Sequence, residues 1–448
     1  MVQYDTKKEK ILWTKKINYP KSNILQSENT IIHTIDDISY NIDVYTGNNI
    51  WEVDKEIFFF DPIYKIAMGY TPKDPYKLDG INTLKGNPIW KRNVSREYGW
   101  NNCSYLNDST LFVVASGLHT VNINTGKGWD YNTITGEKLS FANSGDVYAG
   151  FMMGYFFGAL GGLVGGLIFG LVANAYAIKT GENIISDVMS NTLMNSNFIY
   201  FASKEQLVKI EKESGHIIWK YPLSENIVSN SSIFMDENTI YMINKGYAFR
   251  GGNQINYGKA FVAAFDKLTG KQRYLIFVDD KSRLITSNKV FGNQIYLVFT
   301  NRIAIFDLKA GKIISEHFFK SKLTSNLSYF AGDHIYVNDS FGNLIPVWES
   351  DSTSLFVFNE NDHLLRINDE FNVTGTIAKK DIWVYLLGTE SYSLFFNNFS
   401  EGRKTIVTNN LGQKIAELDV SPSAFIINDI LYDKRDKSFI AIDLKQIP

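Results

Sequence analysis

One short unit recurs along this chain and constrains its fold more than any other feature. Its first copy, residues 41–54, reads NIDVYTGNNIWEVD: an alternating strand leads into Thr46-Gly47, and a second strand carries Trp51. A glycine supplies the backbone freedom of a tight turn, and Asp43 or Thr46 can bond the turn amides. A tryptophan in the second strand is large enough to fill the gap between two stacked sheets. The unit therefore predicts a hairpin that packs against a neighbouring sheet.

Copies of this unit follow one another at intervals of roughly 35–45 residues, the period of propeller blades. The other turn glycines with a following aromatic residue are Gly86 with Trp90, Gly126 with Trp129, Gly215 with Trp219, and Gly270 with Tyr274. Looser copies lie at Gly181, Gly311 and Gly412. Strand pairs are expected to begin near Asn29, Tyr64, Ser109, Leu167, Asn197, Asn238, Asn293, Asp333, Ser354, Ser391 and Ile430. The pairs at Asp333 and Ser354 are too close together to be separate four-stranded blades.

The recurrence predicts an all-β fold, a single β-propeller domain over residues 1–448. We expect a closed ring of four-stranded blades, about eight in number within a range of about seven to ten. The strand around Trp13 has the form of a last blade strand without a blade before it, and the chain ends after Ile442-Asp443, where such a strand should follow. The N-terminal strand is therefore expected to complete the C-terminal blade. Closure would remove the exposed edges of an open sheet.

The unit resembles the repeat of PQQ-type β-propellers, which include bacterial quinoprotein dehydrogenases and the BamB-type outer-membrane assembly lipoprotein. The residues that match the repeat are Asp43, Thr46, Gly47 and Trp51, then Asp266, Thr269 and Gly270, with partial matches at Gly215, Trp219, Asp307 and Gly311. The resemblance implies the propeller architecture and carries no catalytic residue with it.

One apolar stretch departs from the repeat. Residues 147–178 hold no charged side chain, and glycine occupies every fourth position at Gly150, Gly154, Gly158, Gly162, Gly166 and Gly170. On a helix, this spacing forms a groove that another backbone can approach closely. We interpret residues 146–174 as a glycine-zipper insertion within the propeller. Residues 167–183 also fit the strand–turn–strand pattern, which would limit the insertion proper to residues 150–166.

Three roles for this insertion remain open. It could dock on a partner helix or a membrane surface, pack within the ring, or insert into a membrane beside a broken or displaced propeller. Roughly 20 apolar residues suffice to span a bilayer, but a closed ring cannot straddle one with its edges exposed to lipid. So large an apolar surface favours docking. The expected contact residues are Gly150, Gly154, Tyr155, Phe156, Phe157, Gly158, Leu160, Gly162, Leu163 and Gly166.

Composition and motifs exclude several function classes. The net charge of −2 and scattered basic residues do not favour a nucleic-acid partner. The resembling dehydrogenases use a vicinal cysteine pair over the quinone, which the lone Cys103 cannot form. The six histidines lack metal-ligand spacing, and there is no nucleophile elbow or phosphate loop. We therefore expect no catalytic residue, metal or cofactor. Residues 246–258 (GYAFRGGNQINYG) are expected to form a long loop, where binding residues often lie.

The function we expect is non-enzymatic binding of another protein, with the glycine zipper docking a membrane-active or glycine-rich helix. Its concrete form is an immunity protein that sequesters a toxin. The alternative is a BamB-like envelope assembly scaffold that binds β-rich clients, and a quinoprotein dehydrogenase is more remote. No signal peptide or lipidation cysteine is recognisable near the start, so a cytoplasmic location is expected. The partner and the oligomeric state are left open.

Overall fold

The computed structural model describes residues 1–138, 184–320 and 322–446, with gaps. The gaps are residues 6–7, 9, 19–20, 28, 73, 100–101, 251–252, 279–283, 324–328, 332–333, 339–343, 348–354, 362, 369, 379–380, 389–390, 398–403, 410–412, 421–423, 428 and 436–437. Two compact units divide the chain: residues 1–138, 184–259 and 265–273 belong to the first, and residues 260–264 and 274–446 to the second.

The first unit is built from short antiparallel strands. Strands β1 (Val2–Asp5) and β2 (Lys10–Thr14) form a two-stranded sheet. Three four-stranded meanders follow: β3 (Ser22–Ser27), β4 (Thr30–Ile35), β5 (Ile38–Asp43) and β6 (Asn49–Val53); β7 (Glu56–Asp61), β8 (Ile66–Tyr70), β9 (Lys77–Asn82) and β10 (Pro88–Asn93); and β11 (Asn102–Asn107), β12 (Thr110–Ala115), β13 (Gly117–Asn122) and β14 (Asp130–Asn132). The next strands along the chain are β15 (Glu137–Lys138) and β16 (Ile184–Ser186). A fourth meander consists of β17 (Leu193–Met194), β18 (Phe198–Ala202), β19 (Gln206–Glu211) and β20 (Ile217–Pro222).

The rest of the first unit comprises β21 (Ser231–Met235), β22 (Thr239–Asn244), β23 (Tyr247–Arg250) and β24 (Asn253–Asn256). Strands β21 and β22 pair with each other. Strands β15, β16, β23 and β24 form a separate four-stranded sheet in that order, which we name the accessory sheet. Strands β25 (Phe261–Asp266) and β26 (Gln272–Phe277) lie where the division between the units falls.

The second unit repeats the antiparallel theme. Its four-stranded meanders are β27 (Ile285–Phe291), β28 (Gln294–Phe299), β29 (Arg302–Asp307) and β30 (Lys312–Phe318), and β37 (Val384–Gly388), β38 (Tyr392–Asn397), β39 (Lys404–Asn409) and β40 (Lys414–Leu418). Its three-stranded sheets are β31 (Tyr329–Ala331), β32 (His334–Asn338) and β33 (Leu344–Val347); β34 (Leu355–Phe358), β35 (Leu364–Ile367) and β36 (Val373–Ile377); and β41 (Phe425–Ile427), β42 (Ile430–Arg435) and β43 (Ser438–Asp443). A 3-10 helix, Leu444–Gln446, follows.

The all-β prediction is confirmed for the described residues. Ten of the predicted strand pairs begin within a few residues of an observed strand, as Asn29 does beside β4 and Ile430 at β42. The pair at Leu167 lies outside the described residues. The pairs at Asp333 and Ser354 fall in the three-stranded sheets β31–β33 and β34–β36. Ring closure, the number of blades and completion of the last blade by the N-terminal strand stay predictions.

Inner strands of the meanders are buried on both faces. Every residue of the inner strand β8 (IAMGY) is buried. By contrast, every residue of β6, the fourth strand of the preceding sheet, is exposed or half-buried. A strand reads as a continuous apolar run when both of its faces are covered. One core cluster joins Met68 and Trp90 of β7–β10 to Val113 of β11–β14, so these sheets stack face to face.

The repeated aromatic residue contacts the turn of the following sheet. Trp51 on β6 donates its indole Nε1–H to the carbonyl oxygen of Thr83, 2.7 Å away, in the turn after β9. A Cβ on Gly86 of that turn would lie 2.8 Å from Cγ of Trp51. Gly86 also has a φ of +74°, which disfavours any L side chain. The turn therefore requires glycine for two independent reasons.

Five more contacts of this kind recur within the units. The pairs of donor and acceptor are Trp13 with Val44 at 2.8 Å, Trp90 with Ile123 at 2.7 Å, Trp129 with Lys212 at 3.0 Å, Trp219 with Lys267 at 3.3 Å, and the Tyr274 hydroxyl with Leu308 at 2.8 Å. Each acceptor precedes a turn glycine with φ between +64° and +74°. The expectation that Trp51 fills the gap between sheets is confirmed, and Trp13 makes the same contact from β2.

An acidic or amide side chain closes each of several turns from inside. Asp43 accepts hydrogen bonds from the backbone N–H groups of Tyr45 and Thr46 at 2.9 and 2.8 Å. The bond from Thr46 lowers the pKa of the Asp43 carboxyl, because it stabilises the charged form. Asn82, Asn122, Asp266 and Asp307 bond their own turns in the same way.

The sheet β34–β36 departs from this rule. Its bulged register places Val373 and Gly375 opposite Ile367 and Arg366, as Asn49 and Trp51 lie opposite Ile42 and Asn41. By that correspondence Phe371 takes the place of the turn glycine, with φ of +64°, and Gly375 takes the place of the docking aromatic residue. Phe371 stacks on His317, with ring centroids 5.5 Å apart. An aromatic stack replaces the indole–glycine contact here.

We predict that Gly86→Ala costs about 2–4 kcal/mol of unfolding free energy. The alanine adds φ strain of about 1–2 kcal/mol and a contact with Trp51 that the indole must move to relieve. The control is Gly292→Ala, since Gly292 also has positive φ (+56°) and a Cβ there meets nothing within 4 Å. It should lose only the strain component in urea denaturation. Equal losses in both variants would contradict the proposed role of the indole.

Candidate interaction site

The residues predicted to bind a partner, Gly150, Gly154, Tyr155, Phe156, Phe157, Gly158, Leu160, Gly162, Leu163 and Gly166, all lie between residues 139 and 183, outside the described residues. The insertion predicted over residues 146–174 lies there as well. The structure does describe the two places where the chain leaves and re-enters the described part. These two places are strands β15 and β16, which pair with each other in the accessory sheet.

The two ends of this stretch are neighbours in space. Lys138 on β15 is the cross-strand partner of Ile184 on β16, and Glu137 is the partner of Ile185. A Cβ on Gly136 would lie 2.3 Å from the carbonyl oxygen of Ile185, so only glycine allows β16 to approach this closely. The chain therefore leaves the accessory sheet and returns to it at one point.

The prediction that residues 246–258 form a long loop is wrong. Strands β23 and β24 form an antiparallel hairpin there, with Tyr247 opposite Asn256 and Arg250 opposite Asn253. Strand β23 also pairs with β16, placing Arg250 opposite Ile185. The sequence did contain a signal: Gly251-Gly252 between two short runs is a typical two-residue hairpin turn. Its partner strand β16 could not be inferred locally.

A three-residue polar clamp holds β15 in place. The carboxylate of Glu137 accepts a 2.6 Å hydrogen bond from the Tyr257 hydroxyl and a 3.2 Å bond from Lys204 Nζ. These residues come from β15, from the turn between β18 and β19, and from the segment after β24. The bond from Tyr257, followed by that from Lys204, lowers the pKa of Glu137 against the opposing effect of burial. The clamp thus joins three distant stretches of chain beside Lys138.

Further contacts fix the same region to its neighbours. Lys138 forms an ion pair with Glu97, which lies before β11. The backbone N–H of Lys204 donates to the carbonyl of Ile134 at 3.0 Å, and that of Val188 to Thr135 at 2.9 Å. The point where the chain leaves the described residues is therefore anchored from both sides.

A second charged pair lies where the accessory sheet joins the neighbouring strands. Asp187 follows β16 directly, with φ of +61°, and Lys245 precedes β23. Burial raises the pKa of Asp187 to about 6 and lowers the pKa of Lys245 to about 8. The two residues attract each other, which opposes both shifts. Lys245 Nζ also lies 5.9 Å from the centroid of the Tyr247 ring. No local pattern in the sequence marked this pair.

We predict that Asp187→Asn changes how stability depends on pH. The folded chain holds the Asp187 proton more tightly than the unfolded chain, because its pKa rises from 3.8 to about 6. As the pH rises from about 4 to about 6, the natural chain should lose on the order of 2 kcal/mol relative to the variant. Asparagine tolerates positive φ and adds no charge.

The measurement is the unfolding free energy of both proteins at matched pH values. Asp43→Asn is the control, since the pKa of Asp43 is lowered and not raised. Its natural carboxylate stabilises the fold above the unfolded pKa and loses that effect as the pH falls. Parallel curves for Asp187→Asn and the natural chain would contradict the assignment.

The sequence of this chain matches the model of a known protein family. The family model described as outer membrane protein assembly factor BamB matches residues 1–150 and 186–345, more than half of the chain. This chain belongs to that family. The resemblance to PQQ-type, BamB-like β-propeller repeats is thereby confirmed. Comparison with curated proteins gives no significant sequence match.

Solved structures show more distant similarity. BamB from Moraxella catarrhalis is 11% identical, with 84% of this chain and 93% of that chain covered and a TM-score of 0.34. A europium-containing methanol dehydrogenase is 10% identical, with 74% and 77% covered and a TM-score of 0.34. The dihydro-heme d1 dehydrogenase NirN is 9% identical, with 88% and 74% covered and a TM-score of 0.37. Similarities of this size carry no argument about activity, ligand or partner.

Among the described residues, no group of three or more His, Cys, Asp and Glu side chains is arranged to hold a metal ion. No helix in the described part of this BamB-family chain is long and apolar enough to cross a membrane.

Proposed function

We propose that this BamB-family chain is a non-enzymatic scaffold that binds another protein. The observation that carries the proposal is the family match over residues 1–150 and 186–345, since the family is described as an assembly factor for outer membrane proteins. A stack of short sheets held together by docked aromatic residues supplies a stable frame for such binding. Binding residues are commonly found on segments that a rigid frame positions.

The accessory sheet is the part of the frame that we assign to partner binding. The pairing of Lys138 with Ile184 holds both ends of residues 139–183 at one place. The clamp of Glu137, Tyr257 and Lys204 fixes that place to the rest of the first unit. The four-residue glycine spacing of the enclosed sequence favours close packing against a partner helix. Partner binding would therefore occur beside a rigid support.

We predict that deletion of residues 150–166 leaves the fold intact and abolishes partner binding. Shortening a connection whose ends are already paired changes the closure entropy by about 0.6 kcal/mol or less. The melting temperature should therefore change little. The measurement is affinity purification followed by quantitative mass spectrometry, comparing the deletion with the full chain. Equal recovery of the same partner from both proteins would contradict this site.

A substitution series sharpens this test. Replacing Gly154, Gly158 and Gly162 by leucine fills the proposed groove and should reduce partner recovery to the level of the deletion. Leucine at Gly161 and Gly165, which lie outside the four-residue series, is the matched control and should bind as the natural chain does. Equal loss in both sets would show that added bulk, and not the groove, causes the effect.

The narrower form of this proposal is an immunity protein that sequesters the membrane-inserting segment of a toxin. Its support is the membrane-type glycine spacing in the sequence. The partner identified by purification decides the matter. A toxin as partner, with cell survival restored by this chain and not by the deletion, would support it. A partner without a membrane-active segment would refute it.

The second candidate is an envelope scaffold that binds β-rich clients through strand edges or loops. The description of the family as an outer membrane assembly factor favours it directly. The two candidates differ in compartment, because the immunity form assumes the cytoplasmic location expected from the sequence. Cell fractionation of the natural gene product separates them.

The dehydrogenase alternative requires that the chain binds a quinone. Its test is incubation with the quinone of the quinoprotein dehydrogenases, followed by absorption spectroscopy, in which a bound quinone would give an absorption band.

A further inference from the structure

Fourth strands of the meander sheets are edge strands, and an open edge pairs readily with another chain. Natural proteins commonly place charged side chains on such strands to prevent this. Six fourth strands of the described meanders follow this practice, with Glu52 on β6, Lys91 on β10, Asp130 on β14, Lys220 on β20, Glu316 on β30 and Glu417 on β40. Against this background, a strand in the same position without any charge is informative.

Strand β36 is that strand. It corresponds to a fourth strand by its bulged register against β35, and no described strand pairs with its other edge. Its sequence, VTGTI, contains no charged residue and no proline. Valine, isoleucine and threonine have high β-propensity. Val373, Thr374 and Thr376 are exposed, Val373 to 47%. Among the described residues, this edge is therefore open, uncharged and suited to pairing.

The sequence of β36 is also symmetric about its centre. When two copies pair in antiparallel fashion about Gly375, Val373 faces Ile377, Thr374 faces Thr376, and Gly375 faces Gly375. Apolar residues then meet apolar residues on one face, and threonines meet on the other, which are favourable cross-strand pairs. A two-fold interface requires such self-complementarity, because each residue pair occurs twice. Glycine at the axis lets the two backbones approach closely.

We propose that two copies of this chain associate by antiparallel pairing of β36 with β36, centred on Gly375. The occupant of the edge is a second copy because the strand complements itself residue by residue. The pairing satisfies backbone groups at the edge and covers Val373. A pair of five-residue strands is a small interface, and interfaces below about 1,200 Å² are typical of weak, transient complexes. The dimer is therefore expected to form with increasing concentration.

Charge substitutions on the threonine face test both the pairing and its register. In Thr374→Lys/Thr376→Lys, lysine faces lysine twice across the two-fold axis. In Thr374→Lys/Thr376→Glu, lysine faces glutamate twice. Cross-strand pairs contribute about 0.2–1 kcal/mol each, so the lysine–lysine protein should dimerise about tenfold more weakly than the lysine–glutamate protein. Both variants replace the same two exposed residues, so they should have similar melting temperatures.

The measurement is sedimentation velocity of the full chain over a wide concentration range. We expect a concentration-dependent dimer in the natural chain, and dimerisation about tenfold weaker in the lysine–lysine variant than in the lysine–glutamate variant. Ser315→Lys on the exposed edge of β30 is the matched control and should leave the dimer unchanged. A monomer at every concentration, or equal dimerisation of both double variants, would overturn the proposal. A third result would also overturn it: the natural chain is monomeric, and the lysine–lysine variant no longer binds a different partner protein. The edge would then pair with another chain and not with a second copy.

Discussion

The contact between an aromatic ring and the turn glycine of the next sheet is the interaction on which the described structure depends. At six places it joins a sheet to its neighbour by two means at once, a packed aromatic ring and a hydrogen bond from that side chain to a turn carbonyl. Burial of a large aromatic side chain contributes about 1.5–3 kcal/mol, and the bond adds about 1 kcal/mol. Because the ring comes from one repeat and the glycine from the next, stability depends on neighbours being in the correct order. This is the nearest-neighbour character expected of repeat proteins.

Two parts of the described structure depart from the repeat. The accessory sheet combines two excursions, one between β14 and β17 and the other between β22 and β25, into one four-stranded sheet. Asp187 and Lys245, whose pKa values are shifted in opposite directions by desolvation, lie at its junction with the neighbouring strands. In the second unit, the sheet β34–β36 replaces the turn glycine by Phe371 and the docking aromatic by Gly375. Its outer strand, β36, therefore has no aromatic side chain at the position that contacts a turn glycine in other sheets.

Family membership and local geometry contribute different things to the functional argument. Membership in the BamB family indicates a scaffold that binds proteins and identifies no residue as the binding site. The geometry identifies a rigid support, in which Glu137, Tyr257 and Lys204 fasten the place where the chain leaves the accessory sheet. Neither rests on catalytic chemistry. Both support the proposal that partner binding occurs at the accessory sheet.

The sequence by itself determined the all-β class, the positions where most strand pairs begin, and the aromatic residues that join the sheets. These are local patterns: alternation of apolar residues specifies a strand, and a glycine followed by a tryptophan at short spacing specifies the hairpin. Tertiary structure alone decided which turn each ring contacts, because Trp51 and Gly86 are brought together only when whole sheets stack. It also decided that the hairpin of β23 and β24 pairs with β16, that Phe371 adopts positive φ, and that desolvation shifts the pKa values of Asp187 and Lys245. Each depends on residues distant in the chain, and spacing along the sequence carries no information about such pairings.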